Sequence, residues 1–233
     1  MLLFDFVNGF HDAANSIATV VSTQVLHPHS AVLWAAFFNF IAMFFFLPKV
    51  ADTISKIIKI GFSDFFYLYV VLCGVLSALF WAILTWWFGL PISSSHALIG
   101  GIAGAGVAHA GWQALQWDLF LLTVAFIVIA PCLGFILGSL WMLAMYWIFQ
   151  HWRPGKVDQL FRRGQLFSAA LYSIGHGAND AQKMMGVILA LLLAAGQIQP
   201  ASSLSLWNPQ TAWIILSCQA VIALGTALGG GAL

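Results

Sequence analysis

Long apolar stretches alternate with short polar segments along this chain. Three of the stretches contain no Asp, Glu, Lys or Arg, namely residues 65–90, 119–149 and 211–233. Each exceeds the ~20 apolar residues that a helix needs to cross the hydrocarbon core of a bilayer. Residues 31–47 form a shorter stretch rich in Phe and Trp, and residues 1–24 and 164–199 are apolar with isolated polar breaks. The pattern predicts about five to seven helical membrane elements.

The composition supports a membrane location. Of the 233 residues, 62% are hydrophobic and 6% are charged, whereas an ordinary soluble domain carries about 25% charged residues. The net charge of +1 gives no reason to expect a nucleic-acid partner. The cysteines lack the CxxC spacing of metal sites, so we expect no bound metal and no cofactor. The predicted fold class is an all-α integral membrane protein with several spans in the cell membrane.

The basic residues predict the topology. They concentrate in two connections, with Lys49, Lys56 and Lys59 in one and Arg153, Lys156, Arg162 and Arg163 in the other. Both connections should face the cytoplasm, which requires an even number of crossings between them. Three apolar stretches lie there, so we expect the glycine-rich residues 92–110 to form a re-entrant segment. Alternatively, the stretch that contains Pro131 folds as two passes rather than as one kinked helix.

Two related motifs place charges inside apolar segments. Residues 8–15 contain His11, Asp12 and Asn15, and residues 176–183 contain His176, Asn179, Asp180 and Lys183. Intramembrane charges are costly and are by default candidates for function. Paired glycine-interrupted segments in two halves of a chain are typical of a transporter binding site. The alternative is that Asp180 and Lys183, three residues apart on one helical face, only neutralise each other.

A third motif, residues 89–96, combines a proline with three hydroxyls and a histidine. Pro91 occupies a plausible first helical position and is followed by Ser93, Ser94, Ser95 and His96. A helix that begins inside the membrane offers free N–H groups and the positive end of its dipole to an anion. The alternatives are an ordinary serine N-cap and a serine hydrolase. Adjacent helical residues point about 100° apart, which argues against a Ser95–His96 nucleophile and base.

Together, Asn-Gly-Phe-His-Asp-Ala-Ala-Asn at 8–15, Gly-Leu-Pro-Ile-Ser-Ser-Ser-His at 89–96 and Gly-His-Gly-Ala-Asn-Asp-Ala-Gln-Lys at 175–183 resemble the PiT family of inorganic phosphate transporters. The resemblance implies an inverted-repeat bundle with broken or re-entrant helices. Residues 1–150 would form the first repeat, 151–165 a basic cytoplasmic linker and 166–233 the start of the second. By this resemblance the sequence ends before the second hairpin of the family and begins inside the first membrane segment, so we expect a chain truncated at both ends.

The resemblance also implies roles for individual residues. Asn15, Ser93, Ser94 and Ser95 correspond to the residues that contact phosphate, and Asp12 and Asp180 to the acids that couple transport to an ion. Asn179 is expected to support Asp180. Lys183 stands where sodium-coupled relatives tend to have asparagine, which favours proton coupling. The histidines beside these motifs, His11, His96 and His176, are candidate proton relays.

We therefore expect a symporter, not an enzyme, that moves inorganic phosphate across the membrane with protons. Phosphate as a metal complex, sodium as the coupling ion and sulfate as the substrate are the alternatives within the same fold. An intramembrane serine hydrolase is the alternative from another class. Phosphate and the lipid bilayer are the expected partners, and a homodimer is left open.

Overall fold

A computed structural model describes residues 1–45, 57–61, 64–198 and 204–229. Within those ranges the chain forms seven α-helices, and a single isolated β-bridge joins Ile58 to Leu115. The helices are α1 (Leu2–Ser22), α2 (Pro28–Ile41), α3 (Tyr67–Trp87), α4 (Ser94–Ala110), α5 (Trp117–Phe149), α6 (Pro154–Ala194) and α7 (Ala212–Gly229). Short 3-10 turns follow α2 at Ala42–Phe45 and α4 at Trp112–Ala114. The predicted all-α class is confirmed.

Four segments in the described part of the chain are long and apolar enough to cross a bilayer: Pro28–Phe45, Tyr67–Trp87, Trp117–Phe149 and Ala212–Gly229. The third of these, α5, is one continuous helix with Pro131 inside it, so the alternative of two passes is wrong. None of its residues is buried, and its apolar side chains can contact lipid along its whole length.

The core forms where α1, α6 and α7 meet. The α1 and α7 helices pack along each other, α6 contacts both, and α4 folds back on α3 as a helical hairpin. The second helix of this hairpin, α4, lies in the segment predicted to be re-entrant. Met184 and Met185 of α6 and Ile214 and Ile215 of α7 are completely buried in the core. The two motifs that contain charges, residues 8–15 on α1 and 176–183 on α6, therefore belong to helices that also build the core.

The predicted domain boundaries remain a prediction, although one of them falls inside a helix. Residues 154–165 of the expected linker belong to α6, which runs unbroken to Ala194. Arg162 pairs with Asp158 one turn earlier at 3.0 Å and donates to the carbonyl of Gln24. Lys49 and Lys56, which we used to predict the topology, lie outside the described residues.

The close approach of α1 and α7 depends on glycines. A Cβ at Gly225 would overlap the carbonyl oxygen of Phe6, and one at Gly9 would overlap that of Ile222. In each case the neighbour is backbone, which cannot rotate away as a side chain can. The two helices can therefore keep this distance only while both positions lack a side chain.

Gly225→Ala should consequently destabilise the bundle, because the added methyl group forces α1 and α7 apart. We expect a loss of about 1–3 kcal/mol or more, the usual cost of overpacking. Thermal unfolding of the purified protein in detergent measures it. Gly138→Ala is the matched control, since a Cβ at Gly138 on α5 meets open space. Equal melting temperatures for the two variants would show that the α1–α7 contact is not glycine-limited.

Candidate functional site

The packing of α1 against α6 brings the two aspartate motifs together. Nδ2 of Asn8 donates a hydrogen bond to Oδ2 of Asp180 at 2.9 Å. Nε2 of His176 lies 3.3 Å from Oδ2 of Asp12 and 3.6 Å from Oδ2 of Asp180. A single imidazole therefore bridges two carboxylates from opposite ends of the chain. Tyr172, one turn before His176, stacks on that ring.

Lys183 joins this cluster to the serine motif. Its Nζ forms an ion pair with Oδ1 of Asp180 at 2.7 Å, which is the contact that the alternative of mutual neutralisation predicted. The same nitrogen donates to Oγ of Ser94 at 3.4 Å. Lys183 is 5% exposed, and a buried charge is tolerated only when it is paired and hydrogen-bonded. The ammonium thus joins the second aspartate motif to the serine motif, and Asn8 joins the first motif to the same cluster through Asp180.

The charges of the cluster do not balance. The carboxylates of Asp12 and Asp180 contribute two negative charges and the ammonium of Lys183 one positive charge, so one negative charge remains while His176 is neutral. A proton on His176 or a monovalent cation would neutralise it. Asp12, His176 and Asp180 can each offer one ligand atom, and these atoms lie within 4.8 Å of one another. The geometry suits the binding of one small cation.

A polar cleft opens beside Asp12. It has a volume of about 400 Å³ and is lined by residues of α1, by the connection between α3 and α4 and by the end of α7, among them His11, Asp12, Asn15, Trp86, Pro91 and Gly229. Nδ2 of Asn15 donates to Oδ1 of Asp12 at 3.3 Å. Gly89 has a positive φ of 64°, which glycine adopts without strain. The chain turns there between α3 and the serine motif.

The serine motif begins α4, three residues later than the proline suggested. Ser93 is the N-cap and its hydroxyl accepts the N–H of His96 at 3.5 Å, so Pro91 precedes the helix instead of occupying its first position. Ser93 is exposed, and Ser94 and Ser95 are half-buried. The first-turn N–H groups of such a helix carry partial positive charge and favour an anion. Through Ser94, this helix start lies next to Lys183.

Not every expected residue reaches the cluster. Asn179 and His96 are exposed, and the described partners of Asp180 are Asn8, His176 and Lys183 instead. Asn8 lies four residues before Asp12, which is about one helical turn. That spacing was the signal that could have identified it.

Apolar helices that surround a buried, unbalanced cluster of charges beside a polar cleft define the class of multi-pass membrane transport proteins. Residues 8–233 match the model of the phosphate transporter family. The chain therefore belongs to that family, whose members are transporters and not enzymes, and the hydrolase alternative is wrong.

Similar proteins agree with this assignment. The chain is 49% identical over 230 residues to a probable low-affinity inorganic phosphate transporter of Rhizobium meliloti, covering 98% of this chain and 66% of that protein. A Bacillus subtilis protein of the same description is 41% identical over 229 residues, with 98% and 67% covered. A solved structure, the sodium-dependent phosphate transporter, has a TM-score of 0.80 at 22% identity and covers 100% of this chain and 74% of that one. The chain spans about two-thirds of the length of these two curated relatives.

Proposed function

We propose that this protein is a symporter that moves inorganic phosphate across the membrane together with protons. The observation that carries the proposal is the position of Lys183, whose ammonium touches both Asp180 and Ser94. A group that contacts an acid on one side and an anion-binding helix start on the other can respond to both ligands. Such a shared contact is what coupling between two binding sites requires.

The phosphate would bind between the cleft and the start of α4. Asn15 lines the cleft, and Ser93, Ser94 and Ser95 place hydroxyls and N–H groups at the helix terminus. These donors are uncharged, so they can bind an anion weakly enough to release it again. Phosphate can also donate a hydrogen bond to Asp12, whereas sulfate at neutral pH cannot. The acceptor therefore favours phosphate over sulfate as the substrate.

The charge of the cluster favours a proton over sodium as the coupling ion. Lys183 places a fixed ammonium against Asp180, where a sodium ion would otherwise find a carboxylate ligand. The remaining negative charge lies beside His176, and an imidazole can take up a proton near neutral pH. His11 lines the adjoining cleft and offers a route for that proton. Sodium remains the alternative, since the similar solved structure is a sodium-dependent transporter.

Uptake of labelled phosphate into proteoliposomes tests the proposal, with the chain used alone and extended to the length of its relatives. A proton gradient should drive accumulation and a sodium gradient should not. Excess sulfate should compete only weakly with phosphate. Uptake that requires added divalent metal would show that phosphate is transported as a metal complex. Accumulation driven by sodium alone would overturn the proposed coupling ion, and transport of sulfate alone would overturn the substrate.

Lys183→Asn should change the coupling ion in the same assay. Removal of the ammonium leaves Asp180 free to bind a cation, so proton-driven accumulation should fall on the order of tenfold, within the range of ordinary coupling free energies. A sodium gradient should begin to drive uptake. Lys156→Asn is the control, because Lys156 is exposed in the first turn of α6. Unchanged ion dependence in Lys183→Asn would show that this residue does not select the coupling ion.

A further inference from the structure

A second buried carboxyl lies in the bundle, outside the cluster around Asp180. Asp5 on α1 is 0% exposed, and neither of its carboxyl oxygens accepts a hydrogen bond from an N–H or hydroxyl group of the described residues. Its one described partner is the thiol of Cys218 on α7, a weak donor that itself belongs to the apolar core. An ionised carboxylate with no stronger partner than a thiol is very costly in such surroundings. The arrangement calls for a positive charge or a proton on Asp5.

Asn8, one turn further along α1, has a matching deficiency. Its Nδ2 donates to Asp180, but its Oδ1 is buried and accepts no hydrogen bond from the described residues. Residues three apart on a helix are neighbours on one face. A protonated Asp5 would gain an O–H donor, and Asn8 has the unused acceptor. One proton would thus neutralise Asp5 and supply the donor that Oδ1 of Asn8 lacks.

The space around Asp5 distinguishes a proton from a metal ion. Both of its carboxyl oxygens are buried, as is Oδ1 of Asn8. Sodium takes several oxygen ligands, some of them water, and no water reaches these atoms. A proton needs one acceptor and no additional volume. The site therefore suits a proton and excludes a hydrated cation in this conformation.

We propose that Asp5 is a proton-binding site within the membrane, linked through Asn8 to Asp180, and that its proton is released when the bundle opens to water. The charged and titratable groups that act on Asp5 are Asp180 and Lys183 from α6, Cys218 from α7 and the amino group of Met1. Asp180 and Lys183 neutralise each other. The role of this proton in driving uptake rests on the proposed function, whereas its binding to Asp5 does not.

Infrared spectroscopy of the purified protein in lipid tests the binding directly. A protonated carboxylic acid has a carbonyl-stretch band that an ionised carboxylate lacks. At neutral pH we expect this band in the unaltered protein and its loss in Asp5→Asn, which is isosteric with the neutral acid. Asp118→Asn should keep the band, because Asp118 is exposed at the start of α5. If Asp5→Asn fails to fold, Asp5→Glu should keep the band at a shifted frequency.

A transport assay then tests the role of the proton. Asp5→Asn should still exchange phosphate at equal concentrations across the membrane, but its proton-driven accumulation should fall to passive equilibration. A merely structural role would lower both activities together. Persistence of the band in Asp5→Asn would overturn the site, and intact accumulation would overturn its role. If the unaltered protein moves no phosphate, the proposed function fails while the infrared result still decides whether Asp5 binds a proton.

Discussion

Asp180→Asn is expected to abolish proton-driven phosphate uptake and to destabilise the folded protein by about 3–5 kcal/mol, the cost of leaving one member of a buried ion pair alone. Lys183 is 5% exposed, and its described partners are Asp180 and the hydroxyl of Ser94. A hydroxyl cannot neutralise an ammonium, so the charge would remain uncompensated. Uptake into proteoliposomes and thermal unfolding in detergent measure the two effects.

The double variant Asp180→Asn/Lys183→Met separates stability from function. It removes both charges, so most of the lost stability should return, because a buried ion pair replaced by uncharged groups is often neutral. Uptake should remain abolished. Asp158→Asn is the control, since its pair with Arg162 is exposed and worth about 0.3–0.5 kcal/mol. A double variant no more stable than Asp180→Asn would contradict the view that the stranded ammonium causes the loss.

The principal residues of the cluster were predictable because a charged side chain inside an apolar segment is costly and is found mainly where it has a function. Asp12, Asp180 and Lys183 lie in apolar stretches, so each was expected from cost alone to need a partner or a watery cavity. Their joining to Ser94 was suggested by the family resemblance. The individual partners were not predictable, because they depend on how α1 and α6 are rotated about their axes. That rotation is set by packing, including the glycine contacts between α1 and α7.

Because helix packing could not be predicted from the sequence, the burial of Asp5 could not be predicted either. Its sequence neighbours resemble those of any acid near a membrane surface, and its complete burial follows only from the position of α7. Apolar runs predicted most of the helices correctly. They did not predict that α6 extends back to Pro154, because its basic first turns resemble a connecting segment. Helical hydrogen bonds form within the backbone and continue through such charged turns where side chains reach water.

Asp12→Asn should have an equally large effect on uptake with a small effect on stability. The Asp12 side chain is 18% exposed and lines the cleft, so the loss of its charge strands no buried cation. It does remove the negative charge that a proton or cation would neutralise, because Asp180 and Lys183 then balance. Driven uptake should fall by roughly 100-fold, which corresponds to about 3 kcal/mol.

Stability should fall by about 1 kcal/mol, because asparagine at this position weakens the hydrogen bonds with Asn15 and His176. Asp64→Asn is the matched control, because Asp64 is an exposed acid that also faces a histidine, with Oδ2 3.8 Å from Nε2 of His109. It should retain full uptake. The contrast between Asp12 and Asp180 follows from their surroundings: both acids contribute charge to one cluster, but only Asp180 compensates a buried ammonium. Proton-driven accumulation that survives in Asp12→Asn would show that the charge of Asp12 is not needed for coupling.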